Sequence, residues 1–482
     1  MAETLAKKGE VLFIYPRIKN HQSIKMFAPF AYLSIATNLE KKGFSSVLID
    51  TRVKKKYWDE IREALDEKPL FVGITAMSGH QVKDGFEIAK FVKECNKSLP
   101  VVWGGLHGSM CPEDIVKSEN VDVIVIGEGE ETAVDIAEYY ASKRNGNIGD
   151  IPGLAYRNGN GMIKTQYRPM VPEERLPKPS WHLLKGQMKD YIMDDSIDVL
   201  SSRGCPHSCS FCYNISYHHR SWRKRDVTNV LGEIDWITAN SPQPIKFINF
   251  VDDMFFTNKK HGLEIFKELS KRNLKAHIDL RCNDVTKELI EKLFNYGLRD
   301  IYFGAESGSQ KILDLMCKDT TVKQIKNACK IVSQFDISTT YSFILGYPGE
   351  TLDDRRQTLT LTRWIYKNVK NVTILVGIYT VYPGTEHYEQ YRDLIKDNDQ
   401  DYYNWNTARD KPWIQNKANV ETLCTMYRFF NVNLDLKQYG FLGCTMILVL
   451  HHLAKFRISC NLFKFPFEFY CINYVLQRKK FI

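Results

Sequence analysis

The chain has 482 residues, of which 44% are hydrophobic and 26% charged, so wholesale disorder is excluded and two or three domains are expected. The net charge of +9 is modest, and the most apolar run, "YGFLGCTMILVL", falls far short of the roughly 20 residues that span a bilayer. No apolar stretch precedes a cleavage site at the start of the sequence, so we expect a cytoplasmic protein in which most of the 12 cysteines stay reduced.

Residues 1–145 alternate short apolar strands with helical segments. Strands such as "EVLFIYP" and "PVVWGG" are separated by amphipathic stretches such as "HQVKDGFEIAKFVKECNK". Five strands spaced in this way predict an α/β domain with a doubly wound parallel sheet. A ligand of such a sheet binds at the carboxyl ends of the strands.

Residues 146–190 are rich in glycine, asparagine and proline, which predicts a linker with a small hairpin at "GLAYRNGNGMIKT". The strand–helix alternation restarts in residues 191–400, where six βα units predict a partial barrel with its chemistry at the strand ends. Residues 401–482 are helical and less regular, and we expect them to form a wall or lid of the substrate pocket.

The end of the chain is basic. From His451 to Ile482 there are six lysines and arginines against one acid, interleaved with aromatic residues. The pattern favours a packed pair of terminal helices with solvated lysines, and it leaves peripheral contact with a membrane surface open.

Three cysteines lie close together in "RGCPHSCSFCYN", with the spacing Cys205-x-x-x-Cys209-x-x-Cys212. A structural zinc site needs four protein ligands, and His207, His218 or His219 could complete one. The alternative is a 4Fe–4S cluster held by three thiolates, with one iron left open. The spacing favours the cluster, because one short loop can then wrap three corners of a cubane.

This loop, with Phe211 before its last cysteine, resembles the signature of radical S-adenosylmethionine (SAM) enzymes. The resemblance implies that the open iron binds SAM and that one electron, from an external donor of the flavodoxin or ferredoxin type, cleaves it to a 5′-deoxyadenosyl radical. It also implies SAM contacts at strand ends further along the barrel, in "FVDDMFF", "LRCND", "FGAESGS" and "FILGYPGET". With Phe211, the residues concerned are Asp252, Asp253, Arg281, Glu306, Ser307 and Gly346.

The first domain resembles the cobalamin-binding domain of one branch of that superfamily, through "VGITAMSG", "VVWGGLHGSMCPED" and "VIVIGEGEET". The implied cobalamin contacts are Thr75, Ser78, Gly104, Gly105, His107, Gly127, Glu128 and Gly129. The Asp-x-His-x-x-Gly segment that ligates cobalt in many cobalamin proteins is absent from the sequence. We therefore expect base-off cobalamin, its lower face open or approached by His107, Met77 or His80.

The implied activity is methylation of an unactivated carbon in a small-molecule or lipid-like substrate, with no protein general base nominated. Oxidative cyclisation or rearrangement without net methylation is the alternative within the branch. A non-catalytic cobalamin sensor is an alternative of another class. A zinc-dependent nucleic-acid binder is disfavoured, because the basic stretch "YHHRSWRKRD" directly follows the cysteine loop. At that position we expect it to close the site or to meet cofactor carboxylates. We therefore expect no nucleic-acid partner.

Overall fold

The computed structural model describes residues 8–17, 26–54, 56–159, 161–396, 413–431 and 441–460, with the short pieces 462–463, 468–469 and 471–472. Parts of the region predicted to be helical, and the lysines and arginines beyond Arg457, lie outside these residues.

The first domain is built on a sheet whose parallel strands have the order β2-β1-β3-β4-β5. The strands are almost continuously apolar because helices cover both faces of the sheet. The strands are β1 Glu10–Tyr15, β2 Ser45–Asp50, β3 Val72–Thr75, β4 Val101–Gly104 and β5 Val123–Val125. The helices are α1 Phe30–Lys41, α2 Tyr57–Asp66, α3 His80–Cys95, α4 Gly105–Met110, α5 Pro112–Ile115 and α6 Thr132–Ala141.

The predicted hairpin is present as β6 Leu154–Asn158 and β7 Gly161–Lys164. It does not stand alone in a linker, because β6 pairs antiparallel with β5 and extends the first sheet. The five strands predicted for residues 1–145 are parallel, as expected, and the hairpin adds two antiparallel strands at the edge, so the complete sheet is mixed.

The connection between the two sheets is packed. Trp181 is 2% exposed, and its indole N–H donates to Glu233 Oε1 at 2.5 Å. Tyr191, buried nearby, donates its hydroxyl to Asp50 Oδ2 at 2.8 Å. A segment read from composition as a linker thus carries buried anchors that join the first domain to the second.

The second domain confirms the partial barrel. Six parallel strands have the order β15-β14-β13-β12-β11-β8. They are β8 Ser196–Val199, β11 Phe247–Phe250, β12 Lys275–Leu280, β13 Leu298–Glu306, β14 Ser338–Leu345 and β15 Val372–Ile378. The accompanying helices are α8 Val227–Asn240, α9 Lys259–Lys271, α10 Lys287–Asn295, α11 Gln310–Leu315, α12 Val322–Val332, α13 Leu352–Asn368 and α14 Glu386–Lys396.

A two-stranded ribbon interrupts this pattern directly after β8. Strand β9 (Ser202–Gly204) pairs antiparallel with β10 (Trp222–Lys224), and the short helix α7 (Asn214–His218) lies between them. The three cysteines fall within this excursion, so the ribbon fixes both ends of the loop that carries them.

Two C-terminal helices complete the described chain: α15 (Lys417–Phe430) and α16 (Phe441–Cys460). Helix α15 packs against β15 and against α16, so it covers the free edge of the barrel. Within the described residues, none of the helices is long and apolar enough to cross a membrane. The peripheral membrane contact expected from the sequence stays a prediction.

Candidate functional site

The cysteine loop lies at the carboxyl end of the barrel strands. Cys209 is buried, whereas Cys205 and Cys212 are partly exposed. A turn holds two of them together, since the Cys212 amide donates to the Cys209 carbonyl at 3.0 Å. Burial raises the pKa of Cys212 to about 11 and raises that of Cys205. These thiols therefore keep their protons at neutral pH until a bound metal displaces the protons.

Two cations lie beside Cys209. The Arg281 guanidinium donates to Cys209 Sγ at 3.6 Å, and Lys318 Nζ lies 5.7 Å from the centre of the Phe211 ring. Lys318 is buried; burial disfavours its charge, but the nearby Glu306 and Cys209 raise its pKa. Positive charge at this position stabilises thiolates and a negatively charged cluster. The donor set of three thiols with two cations fits an iron–sulfur cluster.

Two of the three histidines considered for a zinc site, His218 and His219, have partners outside the cysteine loop. His218 Nδ1 lies 3.3 Å from Arg223 Nη2, and the exposed ring of His219 contacts Tyr167. Among the described residues, no group of three or more His, Cys, Asp or Glu side chains is arranged to hold one metal ion. Thiolates that bind separate irons of a cluster need not meet at a single point, so this arrangement is compatible with the cluster.

The two aspartates after β11 have different surroundings. Asp252 is buried and accepts hydrogen bonds from the Ser201 amide at 2.7 Å and from the Ser201 and Ser202 hydroxyls, both at 2.5 Å. Burial raises the pKa of Asp252 to about 6, against the effect of these donors. Asp252 therefore anchors the start of the ribbon, and a contact with SAM would have to be made beside these bonds.

Asp253 faces the loop. It accepts from the Gly204 amide at 3.0 Å, from Asn214 Nδ2 at 3.0 Å and from the Tyr213 hydroxyl at 3.2 Å. Its side chain also lines the large cavity described below. Of the two aspartates predicted to contact SAM, Asp253 is the one that lines this cavity.

Glu306 ends β13 in an unusual backbone conformation. Its φ is +61°, which non-glycine residues seldom adopt, and such outliers concentrate at functional sites. The buried Glu306 carboxylate pairs with Lys318 at 3.0 Å. Its neighbour Ser307 is fully buried and contacts Thr358 Oγ1 at 3.0 Å, so its hydroxyl has a partner inside the protein.

Gly346, predicted to allow close approach of adenine, has φ +77°. A Cβ there would lie 2.9 Å from Ile414 Cδ1, and the Gly346 amide donates to Glu350 Oε2 at 2.8 Å. The glycine is thus accounted for by its left-handed turn and by packing of Ile414, and its contact with adenine stays a prediction.

A cavity of about 320 Å³ lies where the carboxyl edges of the two sheets face each other. From the first domain it is lined by six of the eight predicted cobalamin contacts, which are Thr75, Gly104, Gly105, Gly127, Glu128 and Gly129. From the second domain it is lined by Arg203, Tyr213, Tyr217, His218 and Asp253. The cavity also extends between the first sheet and helices α1 and α6.

Gly127 provides the cradle expected for a bulky cofactor. Its φ is +84°, and a Cβ at this position would meet no atom within 4 Å. A side chain here would thus project into open space at the cavity wall. The open space at Gly127 would let part of a bulky cofactor such as cobalamin lie against the backbone.

Two predicted cobalamin contacts do not line the cavity. His107 is 1% exposed, its Nδ1 lies 3.0 Å from the Ser78 hydroxyl, and burial lowers its pKa to about 4. Ser78 is the second of these contacts, and Met77, one of the two further side chains considered for cobalt, is 54% exposed. The histidine that does line the cavity is His218, which contacts Arg223.

Glu128 has a partner that sequence reasoning missed. Its carboxylate accepts from Arg223 at 2.7 and 3.0 Å and from Arg203 at 3.0 Å, while Arg203 also pairs with Glu130 at 2.6 Å. These arginines lie on β9 and β10, on either side of the cysteine loop. The basic stretch after the loop therefore meets carboxylates of the protein itself, and Arg225 likewise pairs with Glu233 at 2.5 Å.

Comparison with known families assigns both halves of this site. Residues 26–137 match the B12 binding domain, and residues 199–362 match the Radical SAM superfamily. An uncharacterized methyltransferase of Pyrococcus horikoshii is 30% identical over 329 residues, which are 67% of this chain and 69% of that protein. The anaerobic magnesium-protoporphyrin IX monomethyl ester cyclase of Rubrivivax gelatinosus is 28% identical over 452 residues, 89% of this chain and 79% of the cyclase.

Solved structures share the fold. The cobalamin-dependent SAM radical enzyme OxsB, with aqua-cobalamin and SAM bound, superposes with a TM-score of 0.73 at 20% identity, covering 93% of this chain and 72% of OxsB. The radical SAM methyltransferase TsrM from Kitasatospora setae gives a TM-score of 0.64 at 19% identity, covering 79% of this chain and 76% of TsrM.

Fold and site together define a two-domain protein in which a cavity at the facing sheet edges adjoins a loop of three cysteines. The chain belongs to the radical SAM superfamily and carries a B12-binding domain ahead of the radical SAM domain. Its domains imply a 4Fe–4S cluster, SAM and cobalamin as cofactors.

Proposed function

We propose that the protein is a cobalamin-dependent C-methyltransferase that acts on an unactivated carbon of a small-molecule or lipid-like substrate. The observation that supports this proposal is the shared cavity, which is bounded by Gly127 on one side and by Tyr213 and Asp253 of the cluster-loop side on the other. A methyl donor in the first domain and a radical source in the second then face the same space.

The residues of the chain divide the work as follows. When bound, the cluster with SAM supplies a radical that removes hydrogen from carbon, and cobalamin supplies a methyl group. Cys205, Cys209 and Cys212 would hold three irons, while Arg281 and Lys318 keep positive charge next to Cys209. Tyr213 and Tyr217 line the cavity with aromatic rings, which would keep water from a bound radical.

Oxidative cyclisation without net methylation is the second candidate. It is supported by the cyclase of Rubrivivax gelatinosus, whose similarity extends over 89% of this chain. Both reactions would use the same cofactors, so the product distinguishes them.

The test is anaerobic reconstitution of the full chain with iron, sulfide and hydroxocobalamin, followed by incubation with a cell extract and methyl-deuterated SAM. We expect a product that gains a trideuteromethyl group, together with S-adenosylhomocysteine and 5′-deoxyadenosine. An oxidised product without the label would support the cyclase and contradict methyl transfer. Cys209→Ala should abolish 5′-deoxyadenosine formation, whereas Cys95→Ala, at an exposed thiol outside the loop, should not.

A further inference from the structure

The C-terminal helix α16 has more apolar surface than its packing uses. Its buried apolar residues recur at intervals of three and four and therefore share one face; they are Ile447, Leu450, Ala454 and Ile458. Helix α16 contacts α15 and α13, so this buried face is the one that joins it to the fold. An ordinary surface helix would be polar around the rest of its circumference.

A second face of α16 is also apolar, and it is exposed. Met446, Val449 and Phe456 are 56%, 59% and 56% exposed, and Leu453, partly exposed, lies between the last two. Their spacing of three, four and three residues places these four side chains in one row along the helix, which we call the exposed apolar row. Contiguous apolar side chains left in water mark an interaction surface, whereas single ones do not.

The charge around this row is positive. Residues 441–463 contain two cations, Lys455 and Arg457, and no aspartate or glutamate. The one acidic side chain between residue 441 and the end of the sequence is Glu468, and Arg457 pairs with it at 2.7 Å. The sequence that follows the helix adds four more cations, which are Lys464, Arg478, Lys479 and Lys480. The partner of this surface should therefore be apolar and negatively charged.

A second copy of the chain meets only the first of these two requirements. In a symmetric dimer the same patch faces itself, so the two positive C-terminal regions would be brought together and would repel each other. An anionic lipid surface meets both requirements, because headgroup phosphates lie directly above acyl chains. Within the part of the chain that the structure describes, no helix could cross a bilayer, so contact would be made along the surface.

We propose that the exposed apolar row of α16 docks on the surface of an anionic lipid bilayer, with the helix lying in the plane of the membrane. Val449 and Phe456 insert between the upper parts of the acyl chains, and the cations around and beyond the helix meet headgroup phosphates. None of the four side chains of the row lines the cavity shared by the two domains, and the proposal does not depend on the proposed function.

Sedimentation of the full chain with lipid vesicles tests the choice of partner. One set of vesicles contains phosphatidylcholine alone, and the other contains phosphatidylcholine mixed with anionic phosphatidylglycerol. The protein should bind the anionic vesicles more tightly by at least about fivefold, the contribution of one cation near an anionic surface, and added salt should reduce the difference. Equal affinity for the two sets, or no binding to either, would overturn the proposal.

Substitutions in the row test the place of contact. Phe456→Gln should weaken binding to anionic vesicles by at least about tenfold, because a buried aromatic side chain contributes about that much to partitioning, and Val449→Gln should act in the same direction. Glutamine is a good helix former, so α16 should persist, which circular dichroism checks. The matched control is Leu352→Gln, at a side chain on α13 that is 44% exposed, and this variant should bind as the wild type does. Equal binding by the Phe456→Gln and Leu352→Gln variants would overturn the proposal.

Sedimentation velocity without lipid examines the competing partner. The wild type and Phe456→Gln should have the same oligomeric state. A wild-type dimer that Phe456→Gln dissociates would assign the exposed apolar row to a second copy of the chain and would overturn the membrane proposal.

Discussion

Arg223 donates two hydrogen bonds to the Glu128 carboxylate, at 2.7 and 3.0 Å, across the boundary between the B12-binding and radical SAM domains. Arg203 reaches the same carboxylate from the other side of the cysteine loop. Both bonds are mostly shielded from water, and Glu128 itself lines the shared cavity. The Gly127–Gly129 turn of the first domain and the ribbon on either side of the cysteine loop are therefore fixed relative to each other by one carboxylate.

Glu128→Gln should destabilise the protein strongly. The amide keeps the shape of the side chain but leaves Arg223 without its carboxylate, and breaking a buried pair costs about 3–5 kcal/mol. Urea unfolding of the full chain measures the change in the free energy of unfolding. Glu113→Gln is the control, since its ion pair with Lys164 at 2.8 Å is half exposed and should contribute less than about 1 kcal/mol. Similar losses for both variants would contradict this role of Glu128.

A histidine inside the barrel predicts a loss of stability at alkaline pH. His277 Nε2 lies 3.2 Å from Asp279, and its Nδ1 lies 3.1 Å from Asp300. Burial opposes the charge, but hydrogen bonds to these two carboxylates outweigh it and raise the pKa of His277 to about 9. Because the folded pKa exceeds the unfolded one, the stabilisation is complete below the unfolded pKa of about 6.5 and disappears as the pH rises through about 9.

Unfolding free energies measured between about pH 6 and about pH 10 test this. The wild-type protein should lose on the order of 1–3 kcal/mol over that interval, and His277→Gln should flatten the dependence. The exposed His452 serves as the control, because His452→Gln should follow the wild-type curve. A wild-type slope retained by His277→Gln would assign the effect to other groups.

Gly127→Leu should prevent cobalamin binding. The new side chain would fill the open space at the cavity wall, and we expect the affinity for hydroxocobalamin, measured by equilibrium dialysis, to fall at least about tenfold, as displacement of a few contacts requires. Gly146→Leu controls for backbone strain, because Gly146 also has a positive φ, of +108°, and open space around it, but does not line the cavity. Equal affinities of the two variants would show that cobalamin does not lie against Gly127.

The sheets and the cluster loop could be predicted from the sequence for a local reason. Strands such as Val72–Thr75 are apolar on both faces, and the spacing of Cys205, Cys209 and Cys212 is contained within one loop. The packing of the connecting segment could not be predicted from its composition. Its glycines and prolines indicate a linker, whereas the burial of single residues such as Trp181 depends on distant elements. Composition averages over a segment, whereas packing is decided residue by residue.

The ion pairs of the site were also beyond local reasoning. Arg203 and Glu128 are 75 positions apart, and Lys318 reaches Glu306 from a loop with no recognisable motif. Nor did the sequence indicate that the ring of His107 is buried next to the Ser78 hydroxyl, and the role of His107 as a cobalamin contact stays a prediction. Which charged residues pair across different elements depends on the fold, so it cannot be predicted from the periodicity or the spacing of residues in the sequence.

The central claim is that the loop of Cys205, Cys209 and Cys212 holds a cluster with one iron free to bind SAM. The most direct test is electron paramagnetic resonance of the anaerobically reconstituted and reduced protein, recorded with and without SAM. The account predicts about four irons per chain and a spectrum that changes when SAM is added, because the open iron acquires a new ligand. A protein that holds zinc at this loop, or a cluster whose spectrum is indifferent to SAM, would contradict it.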